Sequence, residues 1–308
     1  MKIRMMMLLL AITNLSASAC PFDQGGFTQG IAEENDLQID VDHWHNFIKS
    51  SENQIDEALF NQIIDKVAAV YRPIIEKMGA KLVLEKRWHD NTVNAYAKQV
   101  GNNWYVSMFG GLARHKETTP DGFALVVCHE LGHHIAGYPT YTRDWASSEG
   151  QSDYFATAKC FKAVYGNEDN SQKIGDILFD VNNPVEEKCS KAHALGTDND
   201  YFTCIRSSMG GLSLASLLAD LRRSPKPKFE SPSTRKVRKH SHSHPRAQCR
   251  LDTYFHGALC DKPLNKLYGT SDYKEGYCTR EDGYTNGVRP LCWFSPKQAK
   301  RESFSAWF

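Results

Sequence analysis

The first long patterned stretch is Gln54–Lys77, where Ile55, Leu59, Ile63, Val67, Val70 and Ile74 recur at helical spacing. That period gathers them on one face of an amphipathic helix, ended by Gly79 and kinked by Pro73 in its last turn. The pattern then shortens. Lys81–Trp88, Val93–Val100 and Trp104–Phe109 read as strands, with Gly101-Asn102-Asn103 as a hairpin turn between the last two. Gly110 to Lys116 is a short glycine-led helix or loop. Thr118 or Thr119 caps the next helix, with Pro120 in its first position and Asp121 in its first turn. Gly137 and Pro139 close it, and Ser147 or Ser148 opens another over Ser148–Val164. Gly166 to Tyr201 is acidic and loop-rich, and Leu212–Leu221 resumes a helical pattern.

The helix after Pro120 carries His129-Glu130-Leu131-Gly132-His133. One turn separates the two histidines, so both imidazoles leave the same face and can grip one zinc ion. Glu130 then stands beside the metal, where a general base must be to deprotonate a metal-activated water. A catalytic zinc needs a third protein ligand. In the next helix Glu149 and Asp153 share a face at i and i+4, and the turn between the helices brings Glu149 to the metal. Asp153 stands behind, placed to hold the outer nitrogen of a ligating histidine. The competing reading of Glu149 and Asp153 is a solvated helix face.

With 308 residues the chain is long enough for one sizeable domain plus an appendage, or for two small domains. A formal net charge of +1 argues against a dedicated nucleic-acid surface. Met1 to Ala19 reads as a signal peptide: Lys2 and Arg4, the apolar run Met5–Ile12, then Ala17-Ser18-Ala19. No later segment is apolar enough to span a bilayer, so the expected product is exported: periplasmic, cell-envelope or secreted. Cleavage would leave Cys20 first, which also resembles a lipoprotein start, although Ala17 stands where leucine is usual. Eight further cysteines, none in a Cys-x-x-Cys spacing, suggest disulfides rather than a zinc-thiolate site. Cys249, Cys260, Cys278 and Cys292 are expected to pair among themselves in a tail with too little apolar sequence for a large core, and Cys128 to be a buried free thiol. Ser224–His244 is basic and low in complexity, and reads as a flexible loop or linker, with an anionic surface polymer as the alternative partner. His43-Trp44-His45 reads as ordinary surface histidines.

These residues resemble the gluzincin zinc peptidases that include the CAAX prenyl proteases and the HtpX heat-shock proteases. Three places carry the likeness: His129-Glu130-Leu131-Gly132-His133, then Glu149-Gly150-Gln151-Ser152-Asp153 with serine where alanine is usual, then His244-Pro245 followed by Arg250-Leu251. Asn94-Ala95-Tyr96-Ala97 and Gly110-Gly111-Leu112 resemble the family's strand and the turn before its metal helix. The likeness runs from about Ile55 to Leu251. It implies one zinc on His129, His133 and Glu149, Glu130 as base, His244 stabilising the oxyanion and Arg250 bracing the acidic residues. The familiar members span membranes; this chain looks closer to an exported, soluble branch.

The expected architecture is α+β and zincin-like: a small sheet, a metal helix, a second ligand helix and a cysteine-rich C-terminal extension. Its parts are a signal peptide (1–19), an N-terminal extension (20–53), a metallopeptidase domain (54–222), a basic linker (223–243) and a tail with the His-Pro motif (244–308). The expected function is an exported zinc endopeptidase acting on protein or peptide, with an edge strand on which substrate can pair in extended form. The rival is a non-catalytic metal-binding envelope or adhesion protein, which has no use for Glu130.

Overall fold

The structure, a computed structural model, describes residues 28, 30–33, 35–41, 55–141, 145–174, 183–264 and 271–305. The signal segment, Cys20, and His43 and His45 lie outside them.

Helix α1 (Glu57–Lys77) starts where Asp56 accepts a hydrogen bond from the Leu59 amide, and buries Phe60, Ile63, Ile64, Val67, Tyr71 and Ile75. Gly79, at φ +81°, turns the chain out of the helix. The three expected strands form: β1 (Lys81–Arg87), β2 (Ala95–Val100) and β3 (Asn103–Phe109). They lie in the order β1-β3-β2. β2 pairs antiparallel with β3 through the turn at Gly101, and β1 pairs parallel with β3 in the register Lys81↔Asn103. β2 is therefore an edge. The short α2 (Gly110–Ala113) brings its glycine backbone against the carbonyls of Trp88 and Asn91, where no side chain fits.

Helix α3 (Pro120–Ile135) is capped by Thr119, and all its residues from Gly122 onward are buried. It is buried all round because the sheet, α1 and later helices enclose it. Helix α4 (Glu149–Phe155) follows, then a π-helical stretch (Ala156–Phe161) and α5 (Lys162–Tyr165). After α6 (Ser171–Ile174) and α7 (Asn183–Ala192) comes α8 (Asp198–Leu221). α8 begins well before the expected Leu212, nucleated by a capping box between Thr197 and Asp200. Its first half hides from periodicity because serine and glycine fill buried positions there, including Ser207, Ser208, Gly210 and Gly211. Helices α9 (Ala247–Ala258) and α10 (Pro296–Ser305) complete the fold. Among the described residues no helix is long and apolar enough to cross a membrane.

Four disulfides join Cys128–Cys160, Cys189–Cys204, Cys249–Cys292 and Cys260–Cys278. The tail cysteines pair among themselves as expected. Cys128 corrects the expectation of a free thiol: α3 and the π-helical stretch pack with Cα atoms 5.7 Å apart at that point, within bridging reach. Four bridges fit an oxidising compartment.

The basic stretch also differs from expectation. It lacks regular structure but is fixed in place. The Val237 amide donates to the Leu291 carbonyl at 2.9 Å, Ser241 to Trp293 at 2.9 Å and His240 to the Gln298 side chain at 2.7 Å. Its cations face outward while Phe229 and His240 are buried. The tail is not set apart either. Trp293 lies on Gly150 of α4, where a Cβ would collide with the indole, and Arg289 donates to Gln151 at 2.8 Å.

Candidate metal centre

α3 presents His129 and His133 one turn apart, and α4 crosses it at Gly132. A Cβ on Gly132 would lie 3.0 Å from the Ser152 Cα, so the small residue is what lets the helices approach. That crossing delivers Glu149. Ligand atoms of His129, His133 and Glu149 all lie within 4.8 Å of one another, the one such group among the described residues. His129 Nε2 is 3.2 Å from Glu149 Oε2, and His133 Nε2 is 3.7 Å from Glu149 Oε1. Two ligands on a tetrahedral zinc are separated by about 3.4 Å, given bonds of about 2.1 Å. All three side chains are fully buried, and both Nε2 atoms and Glu149 Oε2 have no hydrogen-bond partner. Three buried donors left unpaired around one point fit a metal ion better than they fit a dry core.

The outer nitrogens are held. His129 Nδ1 lies 2.8 Å from Asp153 Oδ1, and His133 Nδ1 lies 2.8 Å from the Ser147 carbonyl. Donation from each Nδ1 leaves each Nε2 as the free lone pair facing inward. Arg250 donates through Nε to Asp153 Oδ2 at 2.8 Å and through Nη2 to Oδ1 at 2.6 Å. His244 Nε2 is 3.2 Å from Glu149 Oε2. So the late motif is brought to the centre although it begins almost 90 residues after α4 ends.

Burial opposes charge throughout the centre, and the partners decide each outcome. Burial disfavours ionised Asp153, but Arg250 and His129 hold its carboxyl below the usual range. Burial likewise disfavours ionised Glu149, yet the imidazoles of His244, His133 and His129 keep it well below. For Glu130 the balance falls the other way, because burial outweighs the favourable charges of His129 and Arg250. Burial lifts its acid to about 8, and neither oxygen accepts a hydrogen bond.

Three supports escaped the sequence reading. Tyr141 donates to Glu149 Oε1 at 2.8 Å, Tyr254 donates to Asp153 Oδ1, and Ser152 Oγ lies 3.2 Å from His133 Nδ1. Tyr254 was within reach, since it sits four residues after Arg250 on one helix face. Tyr141 carried no signal, lying in the irregular connection between α3 and α4.

No family model matches the chain, and no curated protein or solved structure matches it either. Fold and site by themselves define an α+β protein with a small three-stranded sheet, four disulfides and a buried His-His-Glu group able to hold a metal ion.

Proposed function

We propose that this protein is an exported, zinc-dependent endopeptidase of the gluzincin type. The observation that carries the reading is Glu130: a fully buried carboxylate with both oxygens unpaired, one residue from a metal-capable histidine. A protein that only binds metal gains nothing from that group and bears its desolvation cost. His129, His133 and Glu149 would hold the zinc. The ion supplies Lewis-acid activation of water and charge stabilisation at the carbonyl. Glu130 takes the water's proton and returns it to the departing amine. His244 holds a proton at Nε2 for the negative charge that develops on the substrate's carbonyl oxygen. Asp153 and Arg250 fix the orientation of His129. The signal-like N-terminus and the disulfides support export.

Glu130→Gln tests this reading, because it keeps the shape and the three ligands but removes the base. Hydrolysis of a peptide library should fall by ~100-fold or more while metal analysis still finds one zinc per chain. Unchanged peptidase activity in this variant would sink the mechanism. A wild-type protein that binds zinc and cleaves nothing would favour the adhesion or assembly role.

A further inference from the structure

The N-terminal segment does not lie loose on the surface. Residues 37–39 pair with the stretch before β2: Ile39 donates to the Asn91 carbonyl at 2.9 Å, and Gln38 bridges Thr92 in antiparallel sense. Upstream, the Thr28 amide donates to the Ala97 carbonyl at 2.9 Å and the Ile31 amide to the Ala95 carbonyl at 3.1 Å. The arm thus runs antiparallel along the free edge of β2, the mode in which an extended peptide adds to a sheet.

At Gly30–Ala32 it enters the centre. The Gly30 carbonyl accepts from His244 Nε2 at 2.6 Å, and the Ile31 carbonyl accepts from Arg250 Nη1 at 2.7 Å. Asn94 clamps Ala32 from both sides, accepting from its amide at 3.1 Å and donating to its carbonyl at 3.3 Å. Ile31 is fully buried in the main core. Gly30 sits at φ +77°, with space for no Cβ between Ala95, Asn94 and Tyr96. His244 and Arg250, which also contact Glu149 and Asp153, are therefore shared between the metal-capable centre and one short piece of backbone.

We infer that this segment is an intramolecular substrate: Gly30–Ile31 is the peptide bond presented to the centre, and its hydrolysis releases a latent site. The inference rests on the hydrolytic reading above. The carbonyl before Ile31 meets the proton donor beside Glu149, the following carbonyl is pinned by Arg250, and the edge strand fixes the register. In the step, a water oxygen bonds to the Gly30 carbonyl carbon and the Gly30–Ile31 C–N bond breaks. Glu130 relays the first water proton to the Ile31 nitrogen; the second ends there too, leaving a Gly30 carboxylate and an Ile31 ammonium. A tethered segment competes at an effective concentration of order mM, so an intact arm excludes dilute peptides. The same contacts specify outside substrates: extended chains with glycine before, and an aliphatic residue after, the cleaved bond.

The test compares full-length wild-type, Glu130→Gln and Glu130→Gln/Ile31→Asp proteins by intact mass, N-terminal sequencing and hydrogen exchange. With zinc, the wild type should acquire Ile31 as its N-terminus at a first-order rate independent of protein concentration, and the Glu130→Gln chain should stay whole. Without metal, the Ile31 and Ala32 amides of Glu130→Gln should exchange at least ~100-fold more slowly than an open chain, and the added aspartate should abolish that protection. Two results would overturn the inference: a wild type that cleaves added peptides yet keeps Gly30–Ile31 intact, or amides that exchange at the open-chain rate. A chain that hydrolyses neither itself nor any peptide overturns the hydrolytic reading and this inference together.

Discussion

Asp153 links the inward-facing histidine to the late arginine, and both contacts are fully buried. Removing one partner of such a pair strands the other charge away from water, which is costlier than the pair was beneficial. Asp153→Ala should therefore lower zinc affinity by ~10–100-fold in a competition titration and reduce stability by about 3–5 kcal/mol in urea. His244 belongs to a different class of effect. Under the proposed hydrolytic function, His244→Ala should keep the metal and lower turnover more than substrate affinity, since its proton would act on charge that exists only in the transition state. Its neighbour His240 is the control. That ring lies within hydrogen-bond reach of Tyr138 and accepts from the Ser295 amide at 3.2 Å, so His240→Ala should cost stability and spare turnover. Equal kinetic losses in the two variants would remove His244 from the chemistry.

Between elements, the decisive event is the approach of α4 to α3. Gly132 permits it, Cys128–Cys160 locks it, and Trp293 seated on Gly150 backs it from the tail. Cys249–Cys292 adds a second tie, because Cys249 precedes Arg250 on α9 and Cys292 precedes Trp293. Its ends are 43 residues apart, and chain-entropy reasoning gives about 4 kcal/mol for a loop of that length. A Cys249→Ser/Cys292→Ser protein should lose stability on that scale in denaturant titration, and zinc affinity with it, as Arg250 loses its anchor. A loss confined to stability, with affinity unchanged, would mean the tail only shields the centre.

On the scale of the whole molecule, the interior holds histidines that the fold keeps neutral. Burial lowers His256 to about 4. An unfolded histidine titrates near about 6.5, so between those values the unfolded chain takes a proton that the folded one refuses. Stability is then full above about 6.5 and falls as pH drops toward 4, by up to about 3 kcal/mol from this group. Urea midpoints of the metal-free protein at pH 7.5, 5.5 and 4.5 should fall in that order, and His256→Gln should flatten the trend. An unchanged slope in that variant would assign the acid sensitivity elsewhere.

The sequence alone determined what is local or periodic. The helix faces of α1, α3 and α4, the Thr119 cap, the three strands and the one-turn spacing of His129 and His133 follow from 3.6- and 2-residue periods and from short-range capping. Glu149 and Asp153 were legible for the same reason, and the late His244 and Arg250 only through resemblance. Only the tertiary structure decided matters of long-range approach. It put β1 parallel beside β3, bridged Cys128 to Cys160, and fastened the basic stretch to the tail. It also laid Gly30–Ala32 along β2 and against His244 and Arg250, the last two over more than 200 residues of separation. No periodicity encodes these pairings. They depend on which surfaces meet once the helices pack, and a cysteine, a glycine or a backbone carbonyl shows nothing of its distant partner until they do.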